Sequence, residues 1–300
     1  MIALVHHADY VAPAAADSRY RWNKNGLVRE HLEASGEALD WIEPEPMPRE
    51  WLERVHCPAY VAEVLAAAVP REKERRIGFP VTKTVARRAQ RVPGGTYRAA
   101  LEALERGFAA NNAGGSHHAL YDTGAGYCVF NDLALAAVRL TEEGRVRRVL
   151  IVDCDVHQGD GTAALTAERN DIATYSIHAE KNFPVRKTSS TVDVALADGT
   201  GDADYLQALE DSLVPLLDRF GPDLLLYQAG VDPYGGDRLG RLALTQDGLD
   251  ARDALVAGLA RARGLPLAST LGGGYGADAG EIAARHARTI LNTGRILSRP

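Results

Sequence analysis

The stretch Ile151-Val-Asp-Cys-Asp-Val-His-Gln-Gly-Asp-Gly161 decides the fold. It continues a short apolar run that is typical of a buried strand, and it then places Asp153, Asp155, His157 and Asp160 within eight positions. Burying so many ionisable groups at the end of a strand costs free energy unless the groups bind something. Asp155 and His157 are therefore predicted to hold a metal ion, whereas Asp160 could equally cap the following helix.

Similar apolar runs recur along the chain of 300 residues, which is 46% hydrophobic and 25% charged, as globular proteins usually are. The runs alternate with longer segments of helical period, which predicts an α/β fold: a mostly parallel central sheet with helices on both faces. We expect a single domain over 1–300, because the Pro-rich stretch 44–48 and the basic run 71–76 are short enough to be surface connections. The predicted strands are 2–6, 149–153, 172–177, 224–229 and 267–271, and the predicted helices are 25–34, 59–68, 95–107, 132–142, 205–220, 246–263 and 277–297.

Charge and cysteine content exclude several classes of protein. The formal net charge of −6 argues against nonspecific binding to nucleic acid, which depends on clustered Lys and Arg. Cys57, Cys128 and Cys154 lack CxxC spacing, which argues against a disulfide framework and favours a reducing compartment. The chain begins without the layout of a signal peptide, and its apolar runs fall short of the roughly 18 residues of a membrane span. We expect a cytoplasmic protein with no membrane span.

Polar residues also follow two other predicted strands. In open parallel sheets, ligands bind outside the carboxyl ends of the strands, so these residues are expected to meet Asp155 and His157 at one edge. Asp232 follows the strand 224–229 and offers a third metal ligand, although its Asp-Pro and Gly-Gly neighbours alone would indicate a turn. Three protein ligands and one open position are the arrangement of catalytic Zn²⁺.

Two further motifs predict acid-base and oxyanion chemistry. His117 and His118 follow a Gly-Gly-Ser turn, as expected for imidazoles presented into a cleft. They could bind metal, but acid-base work is favoured, because Asp153 and Asp160 remain free to pair with them. Tyr275 follows three glycines, and its hydroxyl could donate to an oxyanion or simply belong to a packed loop aromatic.

Taken in this order, the motifs resemble the histone-deacetylase family of the arginase/deacetylase fold, from residue 2 to about residue 296. The resemblance is closest to the fourth class of the family and to its bacterial amidohydrolases. It rests on five segments: Gly115-Ser-His-His118, Gly126-Tyr-Cys-Val-Phe-Asn-Asp132, Asp153-Cys-Asp-Val-His157, Gly230-Val-Asp232 with Gly236-Asp-Arg-Leu-Gly240, and Gly272-Gly-Gly-Tyr275.

The resemblance implies one zinc ion on Asp155, His157 and Asp232, and removal of an acetyl or longer acyl group from an amine by metal-activated water. It pairs His117 with Asp153 and His118 with Asp160. His118 would be the main general base and acid, His117 would tune the electrostatics, and Tyr275 would polarise the acyl carbonyl. The family also implies a structural potassium ion at Asp153, Ser176 and the carbonyls of Asp155, His157 and Ile177, and an acyl tunnel lined by Gly126, Tyr127, Phe183 and Leu239.

The substrate is expected to be an acyl-lysine of a peptide or protein, or an acylated small amine. Gln158 follows His157 where nuclear class I members have a second histidine, and residues 71–94 are basic where nuclear enzymes carry an acidic rim residue. An acetylpolyamine amidohydrolase and a noncatalytic acyl-lysine binding module are the alternatives. A two-metal ureohydrolase is excluded, since Gly159 and Tyr234 stand where it needs aspartates.

Overall fold

The computed structural model describes residues 1–11 and 22–298. One sheet of eight strands, all parallel, runs through this part of the chain in the order β2-β1-β3-β8-β7-β4-β5-β6. The strands are β1 Ile2–Val5, β2 Leu39–Ile42, β3 Phe108–Asn111, β4 Val149–Asp153, β5 Ile172–Ala179, β6 Val192–Leu196, β7 Leu224–Gln228 and β8 Leu267–Thr270. The helices are α1 Lys24–Glu33, α2 Arg49–Val55, α3 Pro58–Leu65, α4 Arg71–Ile77, α5 Lys83–Arg106, α6 Asp132–Glu142, α7 Asp160–Thr166, α8 Asp202–Phe220, α9 Gln246–Ala262 and α10 Ala279–Leu297.

Helices cover both faces of the sheet, so every residue of the central strands is buried, and the first four positions of β4 are all apolar. In β4, Val149 and Ile151 pack with α2, α3, α5 and α6, whereas Leu150 and Val152 pack with α1, α8, α9 and α10 on the other face. The predicted α/β architecture is confirmed. No helix of the described residues is long and apolar enough to cross a membrane.

Several elements differ from the sequence prediction. Strands β2, β3 and β6 and helices α2 and α7 were not predicted: β3 is short and alanine-rich, and β6 lies at the sheet edge, where half-exposed residues give no apolar run. The basic run 71–76 is not a simple connection but helix α4, which begins after Pro70 and ends at Gly78 with a positive φ of 100°. Its sequence has the helix-ending glycine, but its single buried residue, Ile77, gives no apolar stripe.

Helix α5 begins twelve residues before the predicted start at residue 95, at Lys83 with Thr82 as its N-cap. The prediction was wrong because Pro93, Gly94 and Gly95 usually interrupt a helix. The two glycines are required by packing instead. A Cβ on Gly94 would lie 1.9 Å from the carbonyl oxygen of Glu45, and a Cβ on Gly95 would lie 1.9 Å from the Tyr10 hydroxyl.

Replacing Gly94 by alanine should therefore destabilise the protein, although alanine is the better helix former. Overpacking against the Glu45 backbone should cost roughly 1–3 kcal/mol of unfolding free energy. The matched control is Gly258→Ala in helix α9, where a Cβ would contact nothing within 4 Å and alanine should add about 0.5–1 kcal/mol. Chemical denaturation of the two variants checks this, and a Gly94→Ala protein as stable as Gly258→Ala would contradict the packing argument.

Candidate active site

The four central strands β3, β8, β7 and β4 deliver the candidate site residues to one edge of the sheet. Asp155 and His157 follow β4, Asp232 follows β7, and Tyr275 follows β8. His117 and His118 follow β3, a strand that sequence reasoning missed. The sheet therefore brings together every residue predicted for the metal and for acid-base and oxyanion chemistry.

Asp155, His157 and Asp232 form a buried group of three, each with one ligand atom within 4.8 Å of the others. His157 Nδ1 lies 2.9 Å from Asp155 Oδ1 and 3.2 Å from Asp232 Oδ2. Asp232 Oδ2 is buried and accepts no hydrogen bond from the described residues, so the close approach of His157 is an ion-pair contact only. A divalent cation between these three atoms would satisfy the orphaned oxygen, and two carboxylates with one imidazole are a donor set that suits Zn²⁺.

Neighbouring groups fix the orientation of the two carboxylates. Asp155 Oδ2 accepts hydrogen bonds from Gln228 Nε2 at 2.7 Å and from the backbone N–H of Gly273 at 2.8 Å. Asp232 Oδ1 accepts one from the backbone N–H of Val156 at 2.9 Å. Each carboxylate thus keeps one oxygen occupied and turns the other toward His157, which is the role of the outer partners of metal ligands.

The three buried side chains shift one another's pKa. Burial opposes protonation of His157, but its hydrogen bond to Asp155 and the negative charges of Asp155 and Asp232 outweigh it and raise the histidine pKa to about 10. Burial, together with the nearby charge of Asp155, raises the pKa of Asp232 to about 7. Without a metal ion, the site therefore holds a proton on His157 at neutral pH.

Two histidine–aspartate pairs stand beside the metal group. His117 Nδ1 lies 2.7 Å from Asp153 Oδ2, and His118 Nδ1 lies 2.6 Å from Asp160 Oδ1. Burial opposes protonation of His117, but Asp153 and Asp155 overcome it and raise its pKa to about 9. Burial, followed by the charge of His117, lowers the pKa of His118 to about 4. Of the two histidines, His118 is therefore the neutral one, and its imidazole can accept a proton.

Asp132, at the first position of α6, shapes the turn that presents these histidines. Its Oδ1 accepts from the backbone N–H of Ser116 at 2.7 Å, and its Oδ2 accepts from that of Gly115 at 3.1 Å. Gly115 has a φ of 79°, and a Cβ there would lie 2.6 Å from the Cα of Gly272. The histidine turn and the glycine loop before Tyr275 can approach this closely only because both carry glycine.

A cavity of about 360 Å³ leads from the surface to His118 and His157. Gly126, Tyr127, Phe183 and Leu239, the four residues predicted for a tunnel, all line it. Tyr275 also lines this cavity, and its ring centroid lies 6.2 Å from that of His157 and 5.9 Å from that of Tyr127. The Tyr275 backbone N–H donates to Asp237 Oδ2 at 2.6 Å, which fixes the position of the loop.

The residues predicted for potassium lie on β4, on β5 and in the turn after β4. Ser176 pairs with Asp153 in the β4–β5 register, and its hydroxyl lies 3.0 Å from His178 Nδ1. Asp153 is already engaged, since Oδ2 faces His117 and Oδ1 accepts from the backbone N–H of Asp155 at 3.1 Å.

Sequence reasoning missed four supporting residues, Gln228, Asp132, Lys24 and Arg252. Buried Lys24 donates to the Gly272 carbonyl at 2.8 Å. Buried Arg252, paired with Asp253, donates to the carbonyl of Gly230 at 2.6 Å and weakly to that of Cys154 at 3.4 Å. The sequence offers a signal for Gln228 and Asp132, because each is a polar residue next to a buried apolar run. It offers none for Lys24 and Arg252, which look like ordinary solvent-facing residues of helices.

The chain is similar in sequence to a known domain and to several known proteins. The histone deacetylase domain matches residues 16–291. The chain is 41% identical to an uncharacterized protein of Picosynechococcus sp. over 285 residues, 94% of this chain and 95% of that protein. It is 32% identical over 230 residues to histone deacetylase 2 of Arabidopsis thaliana, covering 76% of this chain and 57% of the relative. It is 33% identical over 181 residues to a histone deacetylase-like amidohydrolase of Pseudomonas aeruginosa, covering 55% and 48%.

Two solved structures share the fold. The acetylpolyamine aminohydrolase from Burkholderia pseudomallei superposes with a TM-score of 0.80 at 22% identity, covering 99% of both chains. The HD domain of HDA15 gives a TM-score of 0.80 at 20% identity, covering 98% of this chain and 95% of that one.

Titration of the metal-free protein with Zn²⁺ at pH 8 should show one ion per chain and release of about one proton, because His157 must lose its proton to bind metal. Isothermal titration calorimetry in two buffers of different ionisation enthalpy measures both quantities. Metal affinity should weaken as the pH falls, because the proton on His157 competes with the ion. An apparent enthalpy independent of the buffer, or a second tightly bound ion, would contradict this assignment.

Two variants serve as controls. His157→Ala should lose tight binding, since one of three ligands is gone. Tyr275→Phe should bind Zn²⁺ as the unchanged protein does, because Tyr275 lies outside the group of ligands.

Proposed function

The chain belongs to the histone deacetylase family, and we propose that it is a zinc-dependent deacylase that hydrolyses the acyl amide of an acylated lysine side chain. One observation carries the proposal. His157 of the buried Asp-His-Asp group, His118 of one histidine–aspartate pair and Tyr275 line one largely apolar cavity that opens to the surface, and the second histidine–aspartate pair lies beside the first. Amide hydrolysis needs a nucleophile activator, a proton carrier and an oxyanion donor, and these residues supply all three.

Asp155, His157 and Asp232 would hold the zinc ion. When bound, zinc would lower the pKa of water toward about 7 and polarise the acyl carbonyl. Fixed hydrogen bonds to Gln228 and to the Gly273 backbone keep the Asp155 carboxylate in place before any ion arrives. This preorganisation means that little free energy is spent on ordering the ligands.

His118 would take the proton of the attacking water, because its lowered pKa leaves the imidazole neutral at pH 7 and Asp160 holds the ring in place through Nδ1. The tetrahedral carbon that forms carries an oxyanion, and the Tyr275 hydroxyl donates a hydrogen bond to that oxygen. The C–N bond then breaks, and the protonated His118 returns its proton to the departing amine. His117, held by Asp153 with a raised pKa, contributes positive charge beside the developing oxyanion.

We also propose the structural potassium ion at Asp153, Ser176, Asp155, His157 and Ile177, supported by the adjacency of β4 and β5. A cytoplasmic location is supported by the three cysteines, which are all free thiols.

The two alternatives make different demands. A noncatalytic acyl-lysine module would not need the proton carriers, yet both histidine–aspartate pairs are present. An acylated polyamine would use the same chemistry on a more positively charged substrate, so the charge around the cavity mouth separates it from acyl-lysine.

Tyr275→Phe removes one hydroxyl and should leave Zn²⁺ bound, while kcat falls by roughly 10²- to 10³-fold, the usual loss for one oxyanion donor. KM should change much less, since the interaction strengthens in the transition state. Steady-state kinetics with an acyl-lysine peptide checks this, using enzyme whose zinc content has been measured. A zinc-loaded Tyr275→Phe enzyme with unchanged kcat would remove Tyr275 from the mechanism.

The apolar cavity walls predict a preference for long acyl chains. Ile77, Tyr127, Phe183 and Leu239 line the cavity, and each buried CH₂ contributes about 0.8 kcal/mol, or roughly fourfold in kcat/KM until the cavity is filled. Matched peptides that differ only in acyl length, from acetyl to long-chain, provide the measurement. A kcat/KM that stays flat or falls along the series would refute the preference while leaving the hydrolase assignment intact.

A further inference from the structure

The mouth of the catalytic cavity carries two arginines on helix α4. Arg75 and Arg76 line the same cavity as His118 and His157, and both are exposed. Among the described residues, no aspartate or glutamate lines this cavity, although the chain as a whole has a net charge of −6. The sign of the charge at the mouth is thus opposite to that of the whole protein.

The nearby acidic residues are not ion-paired with the two arginines. Glu74 turns its Oε1 to the Val81 backbone N–H, which donates to it at 2.7 Å, and among the described residues no ion pair joins Glu74 to Arg75 or Arg76. Glu72 stands three and four positions before the arginines, within helical reach, yet no ion pair joins it to either one in the described part of the chain. Both guanidinium groups are therefore available to a ligand.

Helix α4 is joined rigidly to the cavity wall. The carbonyl of Arg76 accepts from the backbone N–H of Gly126 at 3.1 Å, and that of Ile77 accepts from Tyr127 at 2.7 Å. Gly78 packs against the Tyr127 ring so closely that a Cβ would lie 2.8 Å from Cε1. The backbone that carries the two arginines is thus anchored to the cavity wall and does not belong to a mobile loop.

A further cation lies in the loop that carries Phe183. Lys187 donates to the carbonyls of Asn182 and Pro184, each at 2.7 Å, so backbone carbonyls rather than a carboxylate accept its hydrogen bonds. Lys187 does not itself line the cavity, so the two arginines are the cations that a substrate meets there.

We propose that the substrate carries a carboxylate close to its acylated amine and that Arg75 and Arg76 are specificity-determining residues that bind it. The inference rests on the proposed deacylase function and names its substrate class. Guanidinium groups recognise carboxylates by paired N–H donors, so an anionic neighbour gains affinity. An acylated polyamine, which keeps free ammonium groups, is repelled.

The carboxylate could come from an acidic residue of a peptide or from the α-carboxylate of a free acyl-lysine, and the test separates the two. We would compare one acyl group on five substrates: a peptide with flanking aspartates, the same peptide with asparagines, Nα-blocked acyl-lysine with a free carboxylate, its amide, and an acylated polyamine. At low salt, at least one anionic member should exceed its neutral partner in kcat/KM by roughly 3- to 10-fold. The ratio should approach one at 0.5 M salt, where screening shortens the range to a few ångströms.

The double variant Arg75→Gln/Arg76→Gln should lose this ratio, and Arg75→Lys/Arg76→Lys should keep part of it, because lysine retains the positive charge but not the paired N–H donors. Arg71→Gln removes one charge from the same helix outside the cavity lining and should keep the ratio unchanged. Equal rates on charged and neutral partners, a preference for an acylated polyamine, or a ratio that survives the double glutamine variant would each overturn the proposal.

Binding gives a second readout that does not depend on turnover. Ketone analogues, in which a methylene replaces the amide nitrogen, cannot be hydrolysed, and their Kd values should show the same charge ratio and the same loss in the double variant. If none of the amide substrates is cleaved by the zinc-loaded enzyme, the deacylase function fails. The ratio of Kd values then decides the arginine proposal alone.

Discussion

The structure depends on keeping two buried carboxylates, Asp155 and Asp232, beside one imidazole. The two negative charges repel each other, and burial makes it still more costly to keep both carboxylates ionised. Each carboxylate therefore needs fixed donors, which come from Gln228, from Gly273 and from the Val156 backbone. These donors lie at the end of β7 or just after the ends of β8 and β4, which are neighbours in the sheet, so the order of the strands is itself part of the site.

The same constraint explains the glycines around the site. Gly115 and Gly272 touch backbone to backbone, and a Cβ on Gly273 would lie 2.0 Å from Asp232 Oδ2. Side chains at these positions would push the loops apart and separate the tyrosine wall from the histidine wall. Close packing of loops, rather than flexibility, is what the glycines provide here.

Sequence reasoning could predict β4, β7 and β8, three of the four strands that end at the site, because both of their faces are buried and each lies in an apolar run. It could not predict β3, whose Phe-Ala-Ala-Asn sequence is short, or helix α4, whose positions are almost all charged. It also placed the start of α5 too late. Gly94 and Gly95 are needed for tertiary packing inside the helix, and local helix propensity carries no information about that packing. Among the site residues, those in clustered motifs were found. Lys24 and Arg252 were missed, because a single basic residue in a helix normally points to water.

Buried Arg252 lies behind the metal strands, where it donates to the carbonyl of Gly230 and more weakly to that of Cys154. Each of these carbonyls lies one or two positions before a proposed zinc ligand. Arg252 thus links the two ligand segments to each other and is not part of the cavity lining. The loops at the front, including the one that carries Phe183 and the helix that carries Arg75, are attached separately. Relatives of this protein could exchange the entrance for another without retuning the chemistry beneath it, which is a mechanical basis for one catalytic centre serving many substrates.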